Sequence, residues 1–181
     1  MSSLTVYSID SPDLPNKLLT HAEDIASTLA VHNVRFEQWT ANVRLQAGAS
    51  EEDLLAAYQP QIAALMNQNG YLFVDVLSID SAHPQLAELR AQHLRERRHG
   101  EDVARCFIAG RGLFSLHIEN HVYAVLCEKG DLIVIPAGIR HWFDLGEQPY
   151  LVMIRMFNTV EDWPANFTDD PLAGRFARLE D

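Results

Sequence analysis

The sequence predicts a mainly β domain with added helices, an α+β protein built on an antiparallel β-barrel or sandwich. Two observations predict this class. Short runs rich in β-branched and aromatic residues follow one another through the C-terminal half, and turn residues separate them. The N-terminal half instead places its apolar residues at helical spacing, so we expect helices packed against the barrel. The predicted strands are 71–79, 106–108, 113–118, 122–126, 132–135, 142–145 and 151–156.

The predicted helices have boundaries that local chemistry explains. Apolar spacing predicts a first helix over 17–31. A second begins after Ser50, whose hydroxyl can cap it, and ends at Gly70. Pro60 lies inside this second pattern and predicts a kink, because proline lacks the N–H that a helix interior needs. A third helix is predicted over 84–94, with a proline at its first turn.

The length of the chain favours one domain covering 1–181. A chain of 181 residues can bury one sizeable core but is too short for a second large domain. Within it we distinguish a helix-rich part at 1–98, a barrel core at 99–157 and a C-terminal extension at 158–181. No repeat or low-complexity segment interrupts this organisation.

Charge and composition exclude several classes of protein. The formal net charge of -11 repels phosphate backbones and anionic lipids, so we expect neither nucleic-acid nor membrane partners. No apolar run approaches the roughly 20 residues of a membrane-spanning helix, and the first residues do not resemble a signal peptide. We expect a cytoplasmic monomer in which Cys106 and Cys127 are buried free thiols.

The most informative stretch runs from Gly130 to His141. A turn glycine precedes an apolar strand, Pro136 and Gly138 then bend the chain, and the histidine follows where it can point into the barrel. An isolated histidine would be interpreted as a packing residue. Here the complete spacing resembles the second motif of the cupin superfamily, which implies a jelly-roll β-barrel and a metal ligand at His141.

The first cupin motif should lie upstream as His-x-His, a glutamate and a glycine. Alternate residues of a strand share a face, which lets two such histidines bind one ion. In this chain His99 and Gly110 match the motif, but Arg97 stands at the first histidine position and Val103 at the glutamate position.

Several further stretches make the resemblance more specific, and it extends from end to end. The chain resembles the acireductone dioxygenase family, whose members act in methionine salvage and oxidise a methylthio-substituted acireductone with O2. An iron form gives formate and the keto-acid precursor of methionine, and a nickel form gives a carboxylic acid, formate and CO. The stretches that carry the resemblance are 70–71, 99–102, 110–114, 116–118, 125–129, 136–138, 141–144, 154–155, 163–167 and 173–179.

The resemblance implies roles for particular residues. His99 and His141 match two of the family's four ligands to Fe²⁺ or Ni²⁺, and low metal occupancy is expected because the other two are replaced. Arg105 matches an arginine that helps the substrate become a dianion, and Glu96 matches an acidic residue implicated in metal loading. The candidate pocket residues are Arg97, Phe143, Arg155 and Trp163.

Three interpretations follow from the replaced ligands. In the first, the protein is an active dioxygenase in which Glu101 or Asp102 joins the two histidines as a substitute ligand. In the second, it is a metal-deficient relative, catalytically weak or inactive, that binds a small anion through Arg97, Arg105 and Arg155. In the third, the barrel is purely structural or binds another protein, and its interior contains no pocket. A guanidinium cannot become a metal ligand, so Arg97 is the residue that distinguishes the first interpretation from the second.

The remaining histidines and aromatic residues favour ordinary structural roles. His93 and the other histidines in helical or loop settings are predicted to lie at the surface. His117 lies in an apolar strand and is predicted to be a hydrogen-bonded structural histidine. Trp142 is compatible with either a substrate channel or the core.

Overall fold

The computed structural model describes residues 1–39, 50–159 and 166–180. The strands are β1 (Ser3–Ser8), β2 (Pro15–Leu19), β3 (Arg35–Gln38), β4 (Phe73–Asp80), β5 (Arg97–Arg98), β6 (Val103–Ala109), β7 (Arg111–Ile118), β8 (His121–Glu128), β9 (Asp131–Ile135), β10 (Arg140–Asp144), β11 (Tyr150–Phe157) and β12 (Asn166–Phe167). The helices are α1 (Ala22–Ala30), α2 (Glu51–Ala57), α3 (Gln59–Asn69), α4 (Leu86–His93) and a 3-10 helix over Pro171–Arg175.

The strands form two antiparallel sheets. One has seven strands in the order β12-β5-β10-β7-β8-β1-β2, and the other has five in the order β3-β9-β6-β11-β4. The predicted class, mainly β with helices and cupin-like, is confirmed. Within the part of the chain that the structure describes, no hydrogen-bonded ladder joins the two sheets. The arrangement is therefore an open sandwich of the jelly-roll type and not a closed barrel.

The main core lies between the two sheets, and β6 shows how the sequence builds it. Val103 and Phe107 of this strand are in the core cluster that contains residues of both sheets. Ala104 and Cys106, at the alternate positions, belong to a second cluster under α2 and α3. Successive side chains of a strand point to opposite faces. Because both faces of β6 are covered, almost the whole strand is apolar and buried.

The N-terminal part departs from the local pattern. Residues predicted as one helix over 17–31 contain the end of β2 and only then α1, Ala22–Ala30. The strand forms because β2 pairs with β1, a tertiary contact that overrides a weak local preference. The sheets thus take five strands, β1 to β5, from the part of the chain before the predicted barrel core. The predicted second helix is interrupted at Tyr58, where α2 ends at Ala57 and α3 begins at Gln59, and Pro60 lies in the first turn of α3.

Two other expectations concern the cysteines and membrane-spanning helices. Cys106 and Cys127 are buried free cysteines, as predicted, and burial raises the pKa of both thiols. Among residues 1–39, 50–159 and 166–180, no helix has both the length and the apolar character needed to cross a membrane.

Asp144 joins three parts of the fold. This buried carboxylate accepts hydrogen bonds from the Arg90 guanidinium of α4 at 2.8 and 3.1 Å and from the backbone N–H groups of Gly146 and Leu179. Burial alone would raise the pKa of Asp144, but these hydrogen bonds outweigh it and hold the pKa below the ordinary value of 3.8. The ionised carboxylate therefore connects α4, β10 and the C-terminal segment.

Replacing Asp144 by asparagine should reduce the free energy of unfolding by about 3 kcal/mol at neutral pH, because it leaves the Arg90 charge without its partner. A carboxyl with a lowered folded-state pKa stabilises the fold above its unfolded pKa, and this stabilisation is lost as pH falls through the folded value. The difference between wild type and Asp144→Asn should then shrink below pH 3.8. Urea denaturation between pH 7 and pH 3 measures both effects; a difference that does not change with pH would contradict the assignment.

Candidate active site

A cavity of about 150 Å³ opens between the two sheets. Both sheets contribute to its wall, and so does the C-terminal end of α4. Three arginines, three histidines and a set of apolar side chains face the space. The lining residues are Leu77, His93, Arg97, His99, Val103, Arg105, Phe114, His141, Phe143, Met153 and Arg155.

His99 and His141 meet in this cavity. His141 lies at the start of β10, directly after the bend at Gly138, which has a φ of +86° that favours glycine. The backbone N–H of Gly138 donates to the carbonyl of His99 at 3.0 Å, which fixes the two segments together. The ring centroids of His99 and His141 are 5.3 Å apart. Two imidazoles at this separation can contact the same bound group.

Both imidazoles are neutral near pH 7. Burial, together with the charges of Arg105 and Arg97, lowers the pKa of His99 to about 4. Burial also lowers the pKa of His141 to about 3, although the hydrogen bond to Ile139 opposes it. The ring Nδ1 of His141 lies 2.9 Å from the Ile139 carbonyl, which can only accept, so Nδ1 carries the proton. Its Nε2 therefore offers a lone pair.

Arg97 lies on β5 directly opposite His141 in the ladder between β5 and β10. Its Nε donates to the Arg95 carbonyl at 3.4 Å, and its Nη2 donates to the carbonyl of Gln92 at the end of α4. The guanidinium carbon also lies 5.1 Å from the centroid of the Phe167 ring. Burial lowers the pKa of Arg97 to about 10, so the group remains charged at neutral pH. It brings a positive charge to the wall beside the two histidines.

Arg105 and Arg155 enter from the other sheet, where they are opposite each other in the register of β6 and β11. Asp75 of β4 binds Arg155 through two hydrogen bonds, of 2.7 Å to Nε and 2.6 Å to Nη2. Arg105 is buried and donates to the Ala104 carbonyl at 2.9 Å. Burial and the neighbouring charge of Arg155 lower the pKa of Arg105 to about 9, which still leaves it protonated at pH 7.

The donor set of the cavity does not fit a four-ligand metal centre. His99 and His141 supply two nitrogen ligands, but no aspartate or glutamate is among the described residues that line the cavity. Val103 is apolar, and Arg97 cannot lose its proton to become a ligand. Within the described ranges, the one group of three or more His, Cys, Asp or Glu side chains with ligand atoms within 4.8 Å of each other lies elsewhere, at Glu96, His117 and Asp170.

Glu96 and His117 form a hydrogen-bonded network outside the cavity. His117 Nδ1 lies 2.7 Å from one Glu96 oxygen, and the Thr168 hydroxyl donates to the other at 2.7 Å. Both residues are buried. The prediction that His117 is a hydrogen-bonded structural histidine is confirmed. Glu96 alternates with Arg97 along the chain and faces the other side of the sheet, so the structure does not bring it to the histidine pair.

The two acids considered as substitute ligands also have other partners. Glu101 accepts hydrogen bonds from the Asn158 backbone at 3.3 Å and the Thr159 hydroxyl at 3.1 Å. Asp102 accepts one from the Ala137 backbone at 3.0 Å. Neither lines the cavity. Trp163 lies outside the described residues.

Sequence reasoning missed part of the cavity wall. His93 was predicted at the surface, but it lies in the wall, and its Nδ1 is 2.8 Å from the Leu89 carbonyl. The available signal for His93 in the cavity wall was its position at the end of a helix, four residues before Arg97. Met153 could have been found from strand parity, since it lies two residues before Arg155 on β11. Of the aromatic candidates, Phe143 lines the cavity, whereas Trp142 packs on the opposite face with Phe176.

Comparison with known proteins gives a consistent answer. The model of the ARD/ARD' family matches residues 6–165. The chain belongs to this family. Acireductone dioxygenases from Pseudomonas syringae pv. syringae (strain B728a) and Pseudomonas fluorescens (strain Pf0-1) are 62% and 61% identical to it, and each alignment covers 100% of both chains. The acireductone dioxygenase from Bacillus anthracis, solved with a cadmium ion in its active center, has a TM-score of 0.79 and 26% identity and covers 92% of this chain and 98% of that one.

Membership of the ARD/ARD' family makes the composition of the cavity more informative. The fold matches what the resemblance implies. Arg97 and Val103 both line the cavity, Arg97 from the seven-stranded sheet and Val103 from the five-stranded sheet.

Proposed function

We propose that this protein binds a methylthio-acireductone in the cavity between the sheets and oxidises it with O2, the reaction of an acireductone dioxygenase in methionine salvage. The observation that carries the proposal is the pairing of Arg105 with Arg155 in a cavity that also contains two neutral imidazoles. We further propose that the enzyme is a cytoplasmic monomer whose partners are the acireductone and O2.

The residues of the cavity suit an enediolate substrate. Guanidinium groups donate paired hydrogen bonds to adjacent oxygens, so Arg105 can hold the negative charge of the enediolate. Asp75 holds Arg155 in a fixed orientation beside it. The lone pair of His141 Nε2 can accept a hydrogen bond from a substrate hydroxyl. Leu77, Phe114, Phe143 and Met153 supply an apolar wall for the methylthio chain and exclude water from it.

Iron or nickel would supply oxygen activation when bound, and the choice between them would determine which products form. Three described histidines line the cavity, but His93 does not join the other two in a group of ring nitrogens within 4.8 Å of one another, so His99 and His141 remain as the candidate ligand pair. Two imidazoles alone hold a divalent ion weakly, and the charge of Arg97 opposes it.

Oxygen consumption tests this function. The purified protein, supplied with Fe²⁺ or Ni²⁺ in separate samples, should consume O2 when an acireductone is added, and mass spectrometry should find formate among the products. We expect a rate below the usual kcat range of about 1–1000 per second because the ion binds weakly. A protein lacking both histidines, His99→Ala with His141→Ala, is the control. If wild type and control consume O2 equally with either ion, the proposal is wrong.

A further inference from the structure

The charge of the cavity wall differs from what a cation site requires. Three arginines line the cavity, and no carboxylate is among the described lining residues. Asp75 neutralises Arg155 by a bidentate contact. Among the residues that the structure describes, Arg97 contacts the carbonyls of Arg95 and Gln92 and the Phe167 ring, and none of these carries a negative charge. Asp75 and Glu101 also lie near enough to act on Arg105. The excess of positive charge in this space therefore comes chiefly from Arg97, and Arg105 adds a second guanidinium to the wall.

The two cations approach from opposite walls. Arg97 lies on the seven-stranded sheet beside His141, and Arg105 lies on the five-stranded sheet. Arg97 keeps three guanidinium hydrogens beyond its two bonds to carbonyls, because a guanidinium has five N–H groups. A ligand between the sheets can therefore meet a guanidinium at each end. His99 and His141, with ring centroids 5.3 Å apart, line the same cavity, and the charges of both Arg105 and Arg97 act on His99.

The cavity opens between the sheets, so its volume limits the anionic group that fits inside it and not the whole length of a bound molecule. Its volume of about 150 Å³ equals that of an engineered protein cavity known to bind benzene, a molecule of about six non-hydrogen atoms. Guanidinium groups match the geometry of carboxylates, with two parallel hydrogen bonds to each. A dicarboxylate or enediolate dianion of this size therefore satisfies both the shape and the charge of the wall.

We propose that the cavity binds a small dianion of the dicarboxylate or enediolate class directly between Arg97 and Arg105, without any metal ion. Arg97 supplies positive charge where a cation would lie. Val103, in the opposite wall, is apolar and so does not neutralise that charge as a carboxylate at this position would. The two residues act together, since a glutamate at 103 would pair with Arg97. This binding does not depend on oxidation of the ligand.

Titration calorimetry with oxalate tests the proposal on protein that has been treated with a chelator and dialysed. Oxalate has six non-hydrogen atoms and two negative charges, and oxamide is its neutral counterpart of the same shape. Oxalate should bind one to one in the micromolar range. Oxamide should bind about 100-fold more weakly, because hydrogen bonds to ionised groups are the strong ones. Formate, a monoanion, should also bind more weakly than oxalate.

Three variants locate the binding. Arg97→Gln should weaken oxalate binding by about tenfold or more. Arg98→Gln is the matched control, because Arg98 is the next residue and is exposed, and it should bind as wild type does. Val103→Glu leaves every arginine in place and should also abolish binding by adding a negative charge. This variant keeps the test informative if Arg97→Gln fails to fold.

Four results would overturn the proposal. They are the absence of oxalate binding in metal-free protein, binding that appears only after Ni²⁺ is added, equal affinity for oxamide or formate, and equal affinity of the Arg97→Gln and Arg98→Gln variants. None of these results bears on oxygen consumption with an acireductone. The dioxygenase function and the dianion site can therefore fail separately.

Discussion

Arg97→His combined with Val103→Glu should convert a weak metal site into a tight one. Residue 97 is directly opposite His141 on neighbouring strands, where side chains on the same face lie about 5 Å apart at Cβ. A histidine there would place its imidazole beside those of His99 and His141. A glutamate at 103 would enter from the opposite sheet. Three imidazoles and one carboxylate then face one point and leave open positions for substrate.

The expected gain is large. Removing a group that only hydrogen-bonds to a metal ligand already lowers metal affinity by about 10–100-fold. Restoring two residues that bind the ion directly should therefore raise the affinity by well over 100-fold. Removing the Arg97 charge adds to this, because a guanidinium near a divalent ion is repelled by several kcal/mol even at an effective dielectric constant of about 20. Elemental analysis and calorimetric titration with Ni²⁺ measure the change, and oxygen consumption should rise with occupancy.

The single variants separate the two contributions. Each alone should give a smaller gain than the pair, and Arg98→His, at the exposed neighbouring position, should give none. If the unmodified protein already carries close to one metal per chain and consumes O2 at a normal enzymatic rate, this expectation is wrong. Alanine substitution of Glu101 and Asp102 would then identify the missing ligand.

Replacing Arg105 by alanine should have the second large effect. Arg105 is buried and faces the cavity beside Arg155, so it can donate to the enediolate oxygens. Loss of one such donor typically lowers kcat by about 100–1000-fold. We expect a similar loss in kcat/KM for the acireductone and weaker binding of a substrate analogue in calorimetry. Arg105→Lys keeps the charge but not the paired donors, and it should recover only part of the loss.

Arg175→Ala provides a matched control for this experiment. Arg175 is exposed on the C-terminal 3-10 helix and is not among the residues of the cavity wall. Its removal should leave both kcat/KM and analogue affinity unchanged. An Arg105→Ala protein that remains folded and binds the analogue with wild-type affinity would remove Arg105 from the site.

Local sequence predicted those parts of the site that local geometry determines. The bend at Pro136 and Gly138 requires a proline and a glycine with positive φ, and this fixes where His141 begins its strand. This feature depends on neighbours within a few residues, so it can be recognised in one sequence. Arg105 and Arg155 were instead proposed from the family resemblance, and the pairing of β6 with β11 places them opposite each other.

Parts of the structure that depend on distant contacts could not be predicted in this way. The strand at Pro15–Leu19 exists because of its pairing with β1, and no residue within it requires that conformation. His93 reaches the cavity because α4 is oriented by the Arg90 contact with Asp144, 54 residues away. Glu101 likewise accepts hydrogen bonds from Asn158 and Thr159, which lie far from it in sequence. The absence of Glu101 from the cavity wall was therefore not predictable.

The alternation of β6 has a consequence for how the chain selects one fold. A shift of one residue in the pairing of this strand would turn Arg105 outward into the apolar layer under α2 and α3, and Cys106 inward. An unpaired charge in such a layer costs several kcal/mol, so the misaligned state is strongly disfavoured. A purely apolar strand would tolerate the shift far better. The arginine in the cavity wall therefore also ensures that the β6 strand assembles in a single alignment.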